Sequence, residues 1–143
     1  MDHIVYLDAS ANELDLLLTG QKTMIVRGAT GRKMPYGRVN RADVLYFINN
    51  NAEGLVLAKA RVESVFNSDK MAKEEAAQLI DNNQGKLQLS KKQYERWAGK
   101  RYLVLIEIRG VEKVEPFRID KSNYGNMDDW LPVEEIQKVR YGN

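Results

Sequence analysis

Lys22, Thr23 and Arg27 are the residues of this chain best placed to do chemistry: they follow a helix stop at Gly20 and precede a basic, glycine-rich loop. That loop carries Arg32, Lys33, Tyr36 and Arg38, and it leads into the β-prone run Val44-Leu45-Tyr46-Phe47-Ile48. Residues 22–41 hold six cations and no acid. On a chain whose formal net charge is only +2, such a cluster makes a local positive field rather than a uniformly basic surface. The chemistry it suits is anion binding. An arginine forks onto a phosphate. An aromatic beside an arginine stacks a base while the cation holds the backbone. A lysine in a dry pocket either pairs with a phosphate or, deprotonated, acts as a base.

Each of these residues has a structural reading as well. Lys22 is then a solvated lysine at a strand start, Arg27 the partner of a nearby acid, Thr23 a β-branched strand residue, and Tyr36 a lid over one end of the fold. Lys22 and Arg27 are five positions apart, which on a regular strand points them to opposite faces unless a bulge intervenes. Trp97, at the end of a short helix, reads as a core anchor. Farther on, Tyr124-Gly125-Asn126-Met127-Asp128-Asp129-Trp130 joins turn residues to acids and an aromatic. There Asn126 and Trp130 either contact a base or belong to a surface turn whose tryptophan docks the C-terminal tail. Asp128 and Asp129 are adjacent but lack further ligand spacing, so no metal site is expected.

Several function classes drop out. The chain has no cysteine, hence no disulfide and no thiolate metal site. Its one histidine, His3, sits too near the terminus to anchor a Ser–His–Asp system. Gly28-Ala29-Thr30-Gly31-Arg32-Lys33 lacks the spacing of a Walker phosphate loop. No cofactor is expected. No apolar run approaches the roughly 18–20 residues of a membrane span. Met1-Asp2-His3 lacks the basic-then-apolar pattern of a signal peptide, so the expected location is cytoplasmic, away from membranes.

The elements that must position these groups are legible as patterns. Residues 3–8 read as a strand. Ser10 and Glu13 form a capping-box signature before a leucine-rich helix that Gly20 stops. Residues 22–27 read as a strand, 28–41 as an irregular loop and 43–49 as a buried strand. Residues 55–66 alternate, with Val56, Ala58, Ala60, Val62 and Ser64 on one face. An amphipathic helix is expected over 70–81 with Met71, Ala72, Ala76, Leu79 and Ile80 inward, ended by Asn82-Asn83-Gln84-Gly85. Ser90 and Gln93 open a short helix through Trp97. Two strands follow, 102–108 and 111–117, and Pro132 is placed at the start of a final helical turn. Strands in sequence, interrupted by two helices, favour a closed or nearly closed barrel with helical decoration.

The pattern Gly20-x-Lys22-Thr23-x-x-x-Arg27, followed by Pro35-Tyr36-Gly37-Arg38 and Asp43-Val44-Leu45-Tyr46-Phe47, resembles the activating-signal-cointegrator-homology (ASCH) domain of the PUA-like superfamily. Trp97 to Ile108 with Pro116-Phe117 is similar to the barrel-closing half of the longer members. The resemblance implies a small β-barrel with a cleft beside the helix before Gly20, and an association with RNA or modified nucleobases. Some small members are amidohydrolases acting on acetylated cytidine, with a lysine, a threonine and a downstream glutamate. Lys22 matches the lysine, Ile25 stands where the threonine would be, and no glutamate matches in the segment before Leu87. Ala42-Asp43 replaces the usual Gly-Asp.

The expectation is one α+β domain over residues 1–143, a PUA-like mixed β-barrel with flanking helices. It binds RNA or a nucleotide-like ligand, modified bases included, through Lys22, Thr23, Arg27, Tyr36, Arg38, Asn126 and Trp130. The alternative is a nucleobase amidohydrolase or metal-independent ribonuclease with Lys22 as the reactive group. It requires a carboxylate or hydroxyl that folding brings to Lys22, and Glu63 is a candidate.

Overall fold

The computed structural model describes residues 1–120, 122 and 129–141. Six strands form one curled sheet: β1 (Asp2–Leu7), β2 (Met24–Ala29), β3 (Val44–Asn49), β4 (Leu55–Asn67), β5 (Tyr102–Arg118) and β6 (Trp130–Glu134). Their order is β2-β5-β4-β3-β1-β6. Only β1 and β3 run parallel; the other neighbours are antiparallel. The helices are α1 (Glu13–Leu18), α2 (Lys73–Leu87) and α3 (Lys91–Trp97). The result is an α+β half-barrel, as the sequence predicts. No helix among the described residues is long and apolar enough to cross a membrane.

Strand alternation sorts the apolar residues into an inner and an outer core. Ile25, Leu45, Phe47, Ala58, Ala60, Val62, Val104 and Ile106 face inward and close on Leu14 and Leu17 of α1. On the other face of β2 and β5, Met24, Val26, Leu103 and Leu105 are covered by Ala76, Ile80 and Leu87 of α2 and Trp97 of α3. Both α2 and α3 lie within the connection from β4 to β5, so the long hairpin carries its own outer cover.

Several boundaries differ from the sequence expectations, each for a local reason. β2 starts at Met24, so Lys22 and Thr23 precede the strand; their backbone N–H groups donate to Leu16 and Lys86 carbonyls instead of a ladder. Ser10 does not cap α1. Asp8 receives the Ser10 and Ala11 N–H groups, and Glu13 returns the bond by accepting from the Asp8 N–H. α2 runs through the predicted stop at 82–85 because Asn83 bonds back to the Leu79 carbonyl and Gln78 to Asn82, within the helix. It ends at Leu87, and Gln88 takes the left-handed cap at φ 50°. Ala72 and Ser64 are exposed rather than inward. The two strands expected over 102–117 are one, bent at Gly110, whose φ of 65° permits the kink. Pro132 lies in β6 opposite His3, on an edge strand where its missing N–H costs no ladder bond.

Candidate functional site: a basic cleft at the open seam

The sheet curls until β2 approaches β1 and β6, yet among the described residues no ladder joins these edges. A side chain spans the gap instead. Arg27 shares the inward face of β2 with Ile25, and its guanidinium donates to the Tyr6 carbonyl on β1 and the Val26 carbonyl on its own strand, both at 2.8 Å. It lies between Trp97 of the outer core and Trp130 of the inner core, 5.9 and 5.8 Å from the ring centres. Its buried Nε makes no hydrogen bond to a described residue and faces Asp129 Oδ2 at 3.4 Å, an ion-pair distance. A guanidinium only 6 % exposed is thus held by carbonyls, one carboxylate and two π faces.

Outside Arg27 a cleft of about 330 Å³ opens. Its floor is Gly28 and Ala29; its walls bring Lys33 from the loop, Arg96 and Trp97 from α3, and Lys100 from the turn after it. Among the described residues, four cations face one acid, Asp129. Arg96 lies over the Trp97 ring at 4.3 Å and approaches Asp129 at 3.9 Å. Gly28 is required there: a Cβ would stand 2.6 Å from a Leu103 methyl and 3.0 Å from the Tyr102 carbonyl. Inward of the cleft, a recess of about 60 Å³ shares Arg27, Arg96, Trp97 and Asp129 and adds Asp8, Glu13, Asn50 and Gln93.

Lys22 does not line the cleft. Its side chain is 1 % exposed, with Nζ donating to the Leu87 carbonyl at the negative end of α2 and lying 3.3 Å from Glu13 Oε2. Burial pushes the ammonium below its usual pKa; Glu13 opposes that shift, and the nearby Arg27 charge adds to it. Glu13 therefore stands between them, touching Lys22 and lining the recess with Arg27. Glu63 does not approach Lys22, because it pairs with Arg109 at 2.8 Å.

The remaining expected site residues disperse. Thr23 is partly buried beside the end of α1 and the Ile108–Val111 stretch of β5. Tyr36 donates its hydroxyl to the Ser68 carbonyl and packs edge-on against Tyr102, with Arg32 over both rings. Arg38 is exposed on the loop and does not line the cleft. Asn126 lies outside the described residues. Trp130 is 1 % exposed, a wall of the Arg27 slot rather than a surface tryptophan.

The sequence reading missed Arg96, Lys100, Asp129 and Glu13 as parts of the site. Arg96-Trp97 repeats the aromatic–cation neighbourhood seen at Tyr36 and Arg38, and that was the available signal.

The curled sheet of six strands with three flanking helices shares its fold with solved ASCH structures. The ASCH protein of Zymomonas mobilis superposes with a TM-score of 0.68, covering 96% of this chain and 91% of that one at 16% identity. Two single-substitution variants of that protein each give a TM-score of 0.67 over 96% of this chain, at 19% identity, covering 94% and 92% of their own lengths. At such identities the shared property is the fold. No protein-family profile matches the sequence, and no curated protein sequence matches it significantly.

Proposed function

We propose that this protein binds single-stranded RNA, or a nucleotide-like ligand, in the seam cleft. The observation that carries the reading is the convergence of Arg27, Lys33, Arg96 and Lys100 on one cleft in which Asp129 is the only carboxylate among the described residues, with Trp97 in its wall. Backbone phosphate would sit among Lys33, Arg96 and Lys100, supplying salt-sensitive affinity. Trp97 and the Arg96 plane offer a surface for a base to stack on, as single-strand binders use. Tyr36 and Arg38, which the sequence also favoured, would contact the strand only outside the cleft.

The test is titration with labelled single-stranded RNA, duplex RNA and DNA at two salt concentrations, using the native protein and a Lys33→Ala/Lys100→Ala variant. The RNA is analysed afterwards. Salt-sensitive binding that the variant loses, with the RNA intact, supports the reading; equal binding by the variant, or none by the native protein, refutes it. One observation favours a hydrolytic second reading: Glu13 contacts Lys22 and also lines the recess. Cleaved or altered RNA, abolished by Lys22→Met in a variant shown to be folded by circular dichroism, would establish it.

A further inference from the structure

We infer that His3 and Asp43 are positioning residues for the cleft: they fix the indole of Trp130, and through it the guanidinium of Arg27. The inference rests on the anion-binding reading of the cleft. His3 and Trp130 are 0 % and 1 % exposed. His3 Nε2 lies 2.8 Å from Asp43 Oδ2, and Trp130 Nε1 lies 3.1 Å from His3 Nδ1. An indole N–H can only donate, so Nδ1 must accept, and the imidazole proton therefore resides on Nε2 and is donated to Asp43. Asp43 is itself held, since the same Oδ2 accepts the Asn40 N–H at 2.9 Å. At the far side of the indole lies Arg27, and Asp129, which opposes Arg27 Nε, is the residue next to Trp130. Asp43, His3, Trp130 and Arg27 thus form one chain of contacts to the floor of the cleft.

The chain works in a single protonation state. A proton on Nδ1 would face the indole N–H donor to donor, releasing Trp130 and loosening the slot that holds Arg27. Asp43, Asp2 and the Met1 amine are the charged groups acting on His3, and burial lowers its pKa despite the two acids. The sign of the effect is diagnostic. Charging His3 adds positive charge, which by Coulomb attraction alone would tighten anion binding; release of Trp130 weakens it.

The experiment uses the intact protein, imidazole-labelled with ¹⁵N, and a fluorescein-labelled single-stranded RNA of mixed sequence. Expected are an Nε2–H tautomer at neutral pH and RNA affinity that falls as His3 takes up its proton. Asp43→Asn removes the charge opposite Nε2–H while the indole N–H keeps the proton on Nε2; it should shift the Trp130 indole N–H and the Arg27 Nε–H resonances and weaken RNA binding. His3→Leu should weaken binding likewise, and His3→Asn, whose amide oxygen takes the Nδ1 position and accepts the indole N–H, should restore it and abolish the pH dependence. An Nδ1–H tautomer in the native protein overturns the inference, as does affinity that rises as His3 charges. If Asp43→Asn does not fold, the native pH titration and the Asn/Leu pair at His3 decide. If no form binds RNA, the anion-binding reading fails, and the response of the Arg27 Nε–H resonance to Asp43→Asn decides the positioning claim alone.

Discussion

A buried ammonium persists at Lys22 because two oxygens meet it, the Leu87 carbonyl and the Glu13 carboxylate. Removing one member of such a pair leaves the other charge uncompensated, at a cost of about 3–5 kcal/mol, whereas replacing both with neutral groups of similar shape is often near neutral. Lys22→Met should therefore destabilise strongly, and Lys22→Met/Glu13→Gln, which is neutral yet still accepts the Asp8 N–H, should recover most of the loss in urea denaturation. His3 gives a pH signature at the same scale. Its folded pKa lies below 6.5, so its contribution to stability is fully present above 6.5 and is lost as pH falls through the lowered folded value. The carboxylates with lowered values, Glu107, Asp120 and Glu134, act below 4.5, on the acid side of the window in which His3 acts. Thermal melts across that window should slope downward with acid in the native protein and lie flatter in His3→Gln.

Elements were legible where a side chain competes for a backbone group, and less so where geometry comes from the far side of the fold. The Ser90–Gln93 box set the start of α3, and both halves of it form, at 3.2 and 3.0 Å. Ser90→Ala should cost about 1 kcal/mol and loosen the helix that presents Arg96 and Trp97, read as lower stability in denaturant. Asn82-Asn83-Gln84-Gly85 reads as a stop by composition, yet the burial of Ile80 and Leu87 against β2 and β5 carries the helix past it. The unity of β5 was hidden for the same reason: Gly110 looks like a turn until β4 pairs with both halves. Gly28 is the converse, a glycine whose need is set by a neighbouring strand. Gly28→Ala should push β2 from β5 and cost about 1–3 kcal/mol, as overpacking does, lowering the melting temperature and RNA affinity together.

At the scale of the whole molecule the barrel type was readable and the site only partly so. The cations of residues 22–41 announced a positive field, but the fold sends Lys22 into the interior, Arg38 to the surface and only Arg27 and Lys33 to the cleft. Arg96 and Lys100 join them from α3 and the turn after it, some seventy residues away in sequence, a meeting that no local pattern encodes. The prediction at this scale is electrostatic. Log affinity for single-stranded RNA should fall linearly with log salt, and each cation removed from the cleft should reduce the slope by about 0.7. Arg38→Ala should change it far less than Lys100→Ala.

The seam has one more consequence, for how the molecule opens. A β-ladder yields cooperatively, strand by strand, but among the described residues the hydrogen bonding from β2 to β1 comes from one arginine side chain. The sheet therefore has a weak line along which it can part while its ladders stay intact. Amide protons of β2 and of the Tyr6–Leu7 end of β1 should exchange with solvent deuterium ahead of those in β3 to β5. An anion seated on the cleft cations would bridge the same line from outside, so occupancy should slow exchange along the seam and leave the far side of the sheet unchanged.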